Sequence, residues 1–181
     1  MVERLSAVSY LRGEETVRRR ELVWGVVREP PAPLYNHQAL LLGVATRLSR
    51  HVRRHRRGVI AVAPLDVVLD RAEGLVLQPD VAFVSGERMH IIRDQVWGPP
   101  DLVIEVLSRG SVRYDRGEKL SWYGRYGVRE CWIVDPLATT VEVVSFEGPD
   151  RAAARRRFAG SQIVRSTVLP RLRQQARSFF D

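Results

Sequence analysis

Two acidic residues and one lysine stand out because of their surroundings. Asp80 closes Gln78-Pro79-Asp80 ahead of the apolar run Val81-Ala82-Phe83-Val84, and Glu105 lies inside Pro100-Asp101-Leu102-Val103-Ile104-Glu105-Val106-Leu107. A carboxylate in so apolar a run is costly to bury unless it is paired or bound to a cation. Side chains alternate along a strand, which puts Asp101, Val103 and Glu105 on one face and Leu102, Ile104 and Val106 on the other. If the Asp80 strand is the neighbour, the two carboxylates converge on a hard divalent cation, and magnesium would keep several waters there for chemistry. The lysine is Lys119: of 29 basic residues, 28 are arginine. A composition that favours arginine codons is the bland reading of this bias, so the informative fact is where the single lysine falls.

The elements that must position these groups are legible in outline. Residues 5 to 27 mix helix-like and strand-like pieces, and Pro30, Pro31 and Pro33 interrupt regular structure. Asn36 reads as the cap of a helix running from His37 to about Arg54, with Leu41, Ala45, Leu48 and Val52 as its buried face. Val59 to Leu69, Leu75 to Val84 and Leu102 to Leu107 read as strands. Tyr114 to Tyr126 reads as a second helix, stopped at Gly127. Cys131 to Val134 and Thr140 to Phe146 form a predicted hairpin after it. Beyond Gly148 no element is predicted, although Val168-Leu169-Pro170 and Ser178-Phe179-Phe180 could cover the edge of a core. The expected architecture is α/β, a central mixed sheet flanked by helices.

Several of these segments together resemble a known group. Gln78-Pro79-Asp80, Pro100 through Ser108, Tyr114-Asp115-Arg116-Gly117-Glu118-Lys119-Leu120 and Trp132-Ile133-Val134-Asp135-Pro136 look like the Uma-type restriction endonucleases of the PD-(D/E)XK nuclease superfamily, in the right order and at similar spacing. The resemblance runs from about Arg20 to about Phe146. It implies a restriction-endonuclease-like core, with Asp80, Glu105 and the backbone carbonyl of Val106 as ligands of Mg2+ and with Mn2+ as an expected substitute. The superfamily lysine usually sits two residues after the second acid, where this chain has Leu107; the resemblance moves that role to Lys119 on the following helix. An ammonium there can orient the attacking water and offset charge in the transition state, which a guanidinium does less well. The implied reaction is in-line attack of activated water on a phosphodiester. Glu21 and His37 match further family positions and are accessory candidates. The family continues past Glu21 with Asp, Gly and Glu where this chain has Trp24, Gly25 and Val26.

Blander roles compete for the same residues. Asp80 beside Pro79 suits a turn, Glu105 suits an ion pair with a buried arginine, and Lys119 suits a solvated helix face. Asp101 suits the start of a strand, Asp135 a turn, and Asp115 and Glu118 the first turn of a helix, where acids complement the dipole. A catalytically weak or inactive nuclease-fold protein that binds nucleic acid or regulates is the alternative function.

Composition bounds the partners. A chain of 181 residues that is 45% hydrophobic suits a single domain with a real core. Its net charge of +8 favours a polyanion. Nucleic acid is expected, double-stranded DNA by resemblance, although charge alone equally allows RNA. The run Arg47, Arg50, His51, Arg53, Arg54, His55, Arg56, Arg57 is a candidate phosphate-contacting patch, of which Arg50, Arg53, Arg54 and Arg57 are the residues chosen, and Arg155-Arg156-Arg157 is a second basic stretch. The longest apolar run, Leu40 to Ala45, is far short of the roughly 20 residues that span a bilayer. No secretion signal follows Met1, so a cytoplasmic protein is expected. Cys131 stands alone and reads as a buried packing residue, which argues against zinc. A homodimer would supply the two sites needed to cut both strands of a duplex.

Overall fold

The computed structural model describes residues 4–13, 16, 18–55, 57–148 and 154–181. Helix α1 (Ala7–Leu11) leads into the hairpin β1 (Glu21–Val23) and β2 (Val26–Arg28), and then into the long helix α2 (Tyr35–Arg54). Strands β3 (Gly58–Val62), β4 (Val67–Asp70), β5 (Leu75–Leu77), β6 (Val81–Ser85), β7 (Val96–Trp97) and β8 (Leu102–Val106) follow. A helical stretch comprises α3 (Val112–Tyr114), a π-helical turn (Asp115–Lys119) and α4 (Leu120–Arg125); β9 (Glu130–Asp135), β10 (Thr140–Ser145) and β11 (Ala154–Ala159) come after it.

These strands form two mixed sheets where one was expected. The first runs β2-β1-β5-β4-β7 and the second β11-β10-β9-β8-β6-β3. The difference arises at two prolines. The predicted strand Val59 to Leu69 divides at Ala63-Pro64 into β3 and β4, and the predicted strand Leu75 to Val84 divides at Gln78-Pro79-Asp80 into β5 and β6. Each time the chain leaves one sheet for the other. Proline has no N–H for a ladder, so a strand interior is a poor place for it and a change of sheet a good one.

Alternation along the shared strands separates the cores. Leu102, Ile104 and Val106 face α2 and pack with Leu41, Val44, Leu48 and Val52, whereas Val103 and Leu107 face the space between the sheets with Leu120 and Tyr123. The apolar face predicted for the first helix is therefore the buried one. Its cap is different: the helix starts at Tyr35, Leu34 occupies the capping position, and no side chain closes the end. The predicted hairpin is present as antiparallel β9 and β10. Its further partner β11 carried no sequence signal, because Arg155, Arg156 and Arg157 are exposed and show no apolar alternation; charges on an edge strand discourage pairing with other chains. Leu169 and Phe179 join the α2 core, as expected of the C-terminal segments. Cys131 is buried and free.

A buried acid holds the C-terminal segment in place. Glu130 is fully buried and accepts from Trp132 Nε1 at 2.7 Å, Ser166 Oγ at 2.6 Å, and both the backbone N–H and hydroxyl of Thr167 at 2.8 Å. Removing that acceptor strands several donors at once. Glu130→Ala is expected to cost about 3 kcal/mol in urea unfolding, and a loss below about 0.5 kcal/mol would show that the segment is held by its apolar contacts alone.

Candidate active site

Asp80 owes its place to the break between β5 and β6. It stands one residue ahead of β6, whose Val81 pairs with Ile104 of antiparallel β8, so its carboxylate reaches across to the end of that strand. Asp80 Oδ2 accepts the N–H of Val106 at 2.7 Å. His37, in the first turn of α2, brings Nε2 to 3.0 Å from the Val106 carbonyl oxygen and 3.3 Å from Asp80 Oδ2. Its Nδ1 is buried without a hydrogen-bond partner.

Glu105 projects from β8 on the opposite face to α2, toward α4. Its Oε1 lies 2.9 Å from Lys119 Nζ and accepts a short hydrogen bond from the Tyr123 hydroxyl. Lys119 Nζ lies equally close to Glu21 Oε1, at 2.9 Å, and 3.8 Å from Asp115 Oδ1. Glu21 accepts in addition from the Gln78 N–H at 3.0 Å and the Tyr114 hydroxyl at 3.1 Å. The wide π turn carries Asp115 and Lys119, both of them buried, into this cluster. Such turns interrupt α-helices mostly where a side chain must be aimed.

Arg19 joins the two halves. The segment before β1 runs beside Gln78, and the Arg19 guanidinium lies 2.7 Å from Asp80 Oδ1 and 3.7 Å from Glu105 Oε2, while also donating to the Gln78 carbonyl. Four carboxylates, Glu21, Asp80, Glu105 and Asp115, thus face two permanent cations, Arg19 and Lys119. The imbalance shows in the titration of the acids. Burial pushes Glu105 up to about 8 against the pull of Lys119, and Asp115 is also raised, chiefly by burial. Burial would raise Asp80 too, but its bond to His37 and the charge of Arg19 hold it at about 2. Lys119 is kept charged: burial would lower its pKa, and Glu105 and Glu21 carry it above the ordinary lysine value.

Asp80, Glu105, Val106, Lys119, Glu21 and His37 are therefore brought together. Lys119 is not on a solvated helix face; its side chain is 2% exposed and its ammonium meets carboxylates on several sides. Asp115 also departs from its dipole role by entering the cluster, whereas Glu118 stays outside and pairs with Arg28 at 3.7 Å. Asp101 starts its strand and accepts from the Ser85 N–H, and Asp135 closes a turn by accepting from Leu137 and Ala138. Trp24 and Gly25, with φ of 51° and 80°, are the turn between β1 and β2, and the Trp24 ring packs edge-on against Trp122 at 5.7 Å. The departure from the family pattern at Trp24 and Val26 thus lies in a hairpin turn and on an exposed strand.

The basic residues are not at the cluster. Arg50, Arg53, Arg54 and Arg57 are exposed at or just beyond the C-terminal end of α2. That is about 20 Å or more along the helix from His37, at 1.5 Å per residue. Arg56 and Arg151 lie outside the described residues. Arg155 and Arg157 are each 3.7 Å from Glu142. Sequence reasoning missed Arg19, Tyr114 and Tyr123. Arg19 is one of three consecutive arginines and carries no distinguishing mark, but Asp115, Lys119 and Tyr123 recur every four residues, a spacing that puts them on one helical face.

Two sheets flanked by helices, with acids at the junction of adjacent strands, define a nuclease-type α/β fold. The chain belongs to the Uma2 family, described as "putative restriction endonuclease", whose profile matches residues 7–176. It is similar to a solved structure described as a "putative nuclease belonging to DUF820" from Anabaena variabilis, with a TM-score of 0.80, 18% identity and 97% of each chain covered. No curated protein matches it. Among the described residues, no helix is long and apolar enough to cross a membrane.

The donors present fit a hard cation. Asp80 Oδ1 and Glu105 Oε2 already face one cationic group, and the Val106 carbonyl stands beside Asp80. No three His, Cys, Asp or Glu side chains form a ligand group among the described residues. Two carboxylates and a carbonyl leave most of a coordination sphere to water and substrate, which suits magnesium better than a metal that needs a full protein cage.

Proposed function

We propose that this protein is an endonuclease that hydrolyses phosphodiester bonds in DNA with the help of Mg2+, for which Mn2+ can substitute. The observation that carries this reading is the buried excess of carboxyl groups over permanent cations around Asp80 and Glu105. Structural ion pairs normally balance; a cluster that keeps two carboxylates beyond its permanent cations is suited to a divalent ion.

Asp80, Glu105 and the Val106 carbonyl would hold the ion. When bound, it would polarise a phosphoryl oxygen and lower the pKa of water. Asp80 is held in register by the Val106 N–H, so the acid and the carbonyl stay together. Lys119 acts through Glu105: its ammonium favours the ionised carboxylate against the pull of burial and orients it, and Glu21, Tyr114 and Tyr123 anchor the arrangement. It is a positioning residue. His37 orients the Val106 carbonyl from the α2 side. Arg50, Arg53, Arg54 and Arg57 would contact phosphates roughly six base pairs from the cut, taking 3.4 Å per step. Two copies of the chain would let both strands be cut.

Supercoiled plasmid is the direct test. Purified protein is expected to nick and then linearise it with Mg2+ or Mn2+ and to leave it intact with EDTA. Cutting that persists in EDTA would exclude the metal-dependent mechanism, and cleavage confined to RNA would replace DNA as the substrate.

A further inference from the structure

Of the two permanent cations at the site, Arg19 is the one that reaches the surface: its side chain is 20% exposed against 2% for Lys119. It also borders a cavity of about 450 Å³ whose walls include Ala32, Pro33, Leu41, Pro64 and Asp80. The carboxylate oxygens facing its guanidinium, Asp80 Oδ1 and Glu105 Oε2, are the ones available to a metal, because the other oxygens are engaged by Val106, Lys119 and Tyr123. A divalent ion needs such oxygens at about 2.1 Å. A guanidinium bridging the same two atoms would then stand against it, and like charges that close repel strongly in a partly buried site.

We propose that Arg19 is the resident counter-cation of the metal site: its guanidinium neutralises the Asp80–Glu105 pair and must move aside into the adjoining cavity before a divalent cation can bind. The inference rests on the metal-dependent reading above. Metal affinity is then an exchange of one cation for another, reduced by the fraction of molecules in which Arg19 holds the acids. The cavity supplies room for the displaced side chain, and on its open side a guanidinium can meet an incoming phosphate with two parallel hydrogen bonds.

Calorimetric titration of the full chain with Mn2+ alone tests this without reference to catalysis. Arg19→Gln is expected to bind Mn2+ at least about tenfold more tightly than the parent, to melt at a lower temperature without metal, and to gain more from Mn2+ in melting temperature. Arg18→Gln removes the same charge from the same cavity, yet Arg18 makes no ion pair with either acid among the described residues; it is expected to bind Mn2+ like the parent. Should Arg19→Gln fail to fold, Arg19→Met serves, since it keeps an apolar stem without the charge that faces both acids, and affinity should still rise. Unchanged or weaker Mn2+ binding by a folded Arg19 variant, with the parent binding normally, overturns the proposal alone. Absence of Mn2+ binding by parent and variants alike overturns the metal-dependent reading with it.

Discussion

Glu105→Gln is expected to reduce plasmid cleavage by at least about a thousandfold, equivalent to about 4 kcal/mol of transition-state stabilisation, while leaving the fold intact. Glutamine keeps the shape of the side chain and an oxygen that can accept from Lys119 and Tyr123, but it withdraws the negative charge that faces Arg19 through Oε2. Because burial already pushes the Glu105 carboxyl up to about 8, neutralising it relieves a strain on the folded state. Stability in urea should therefore stay within about 1 kcal/mol of the parent. The contrast between intact stability and lost turnover is what marks a functional carboxylate. Parental cleavage rates in Glu105→Gln would remove Glu105 from the active site, and a variant that merely fails to fold would place it among the structural ion pairs. Asp80→Asn should behave alike in cleavage.

Lys119→Met should show the opposite balance. The ammonium lies 2.9 Å from both Glu21 and Glu105 in a position almost closed to solvent, so its removal leaves buried carboxylates without their main counter-charge. Breaking a buried pair from one side typically costs about 3–5 kcal/mol, and chemical denaturation is expected to show that loss. Cleavage should fall by about a hundredfold or more as Glu105 loses the cation that orients it and favours its charge. Lys119→Arg is not expected to rescue either property, since a planar guanidinium does not fit where a compact ammonium serves two acids and lies over the Tyr114 ring at 5.6 Å. Adding Glu21→Gln to Lys119→Met should recover part of the stability by withdrawing one unpaired charge. A single Lys119→Met variant as stable as the parent would show that the ammonium is not held in this cluster.

The contrast between these two residues follows from the groups each one meets. Both were singled out by position, Glu105 inside an apolar strand and Lys119 as the single lysine among arginines. Their roles diverge because Glu105 turns Oε2 toward Arg19, which borders the cavity, whereas Lys119 is enclosed between Glu21 and Glu105. Linear sequence records neither set of partners.

Taken alone, the sequence singled out the acid pair by its apolar surroundings, whereas the adjacency of the two strands, only a condition there, came with the pairing of Val81 and Ile104. It determined the buried face of α2 through its helical spacing, the β9–β10 hairpin, and the family. Tertiary structure decided the rest. Whether Leu75 to Val84 is one strand or two depends on there being a second sheet to receive it, and local apolarity is the same in either case. Arg19 became part of the site only because the segment before β1 runs beside Gln78, some sixty positions away. The arginines of α2 were separated from the carboxylates by the length of the helix itself, which charge along the chain does not measure. Periodicity reports which face of an element is buried; which charged groups meet across that burial is set by long-range packing.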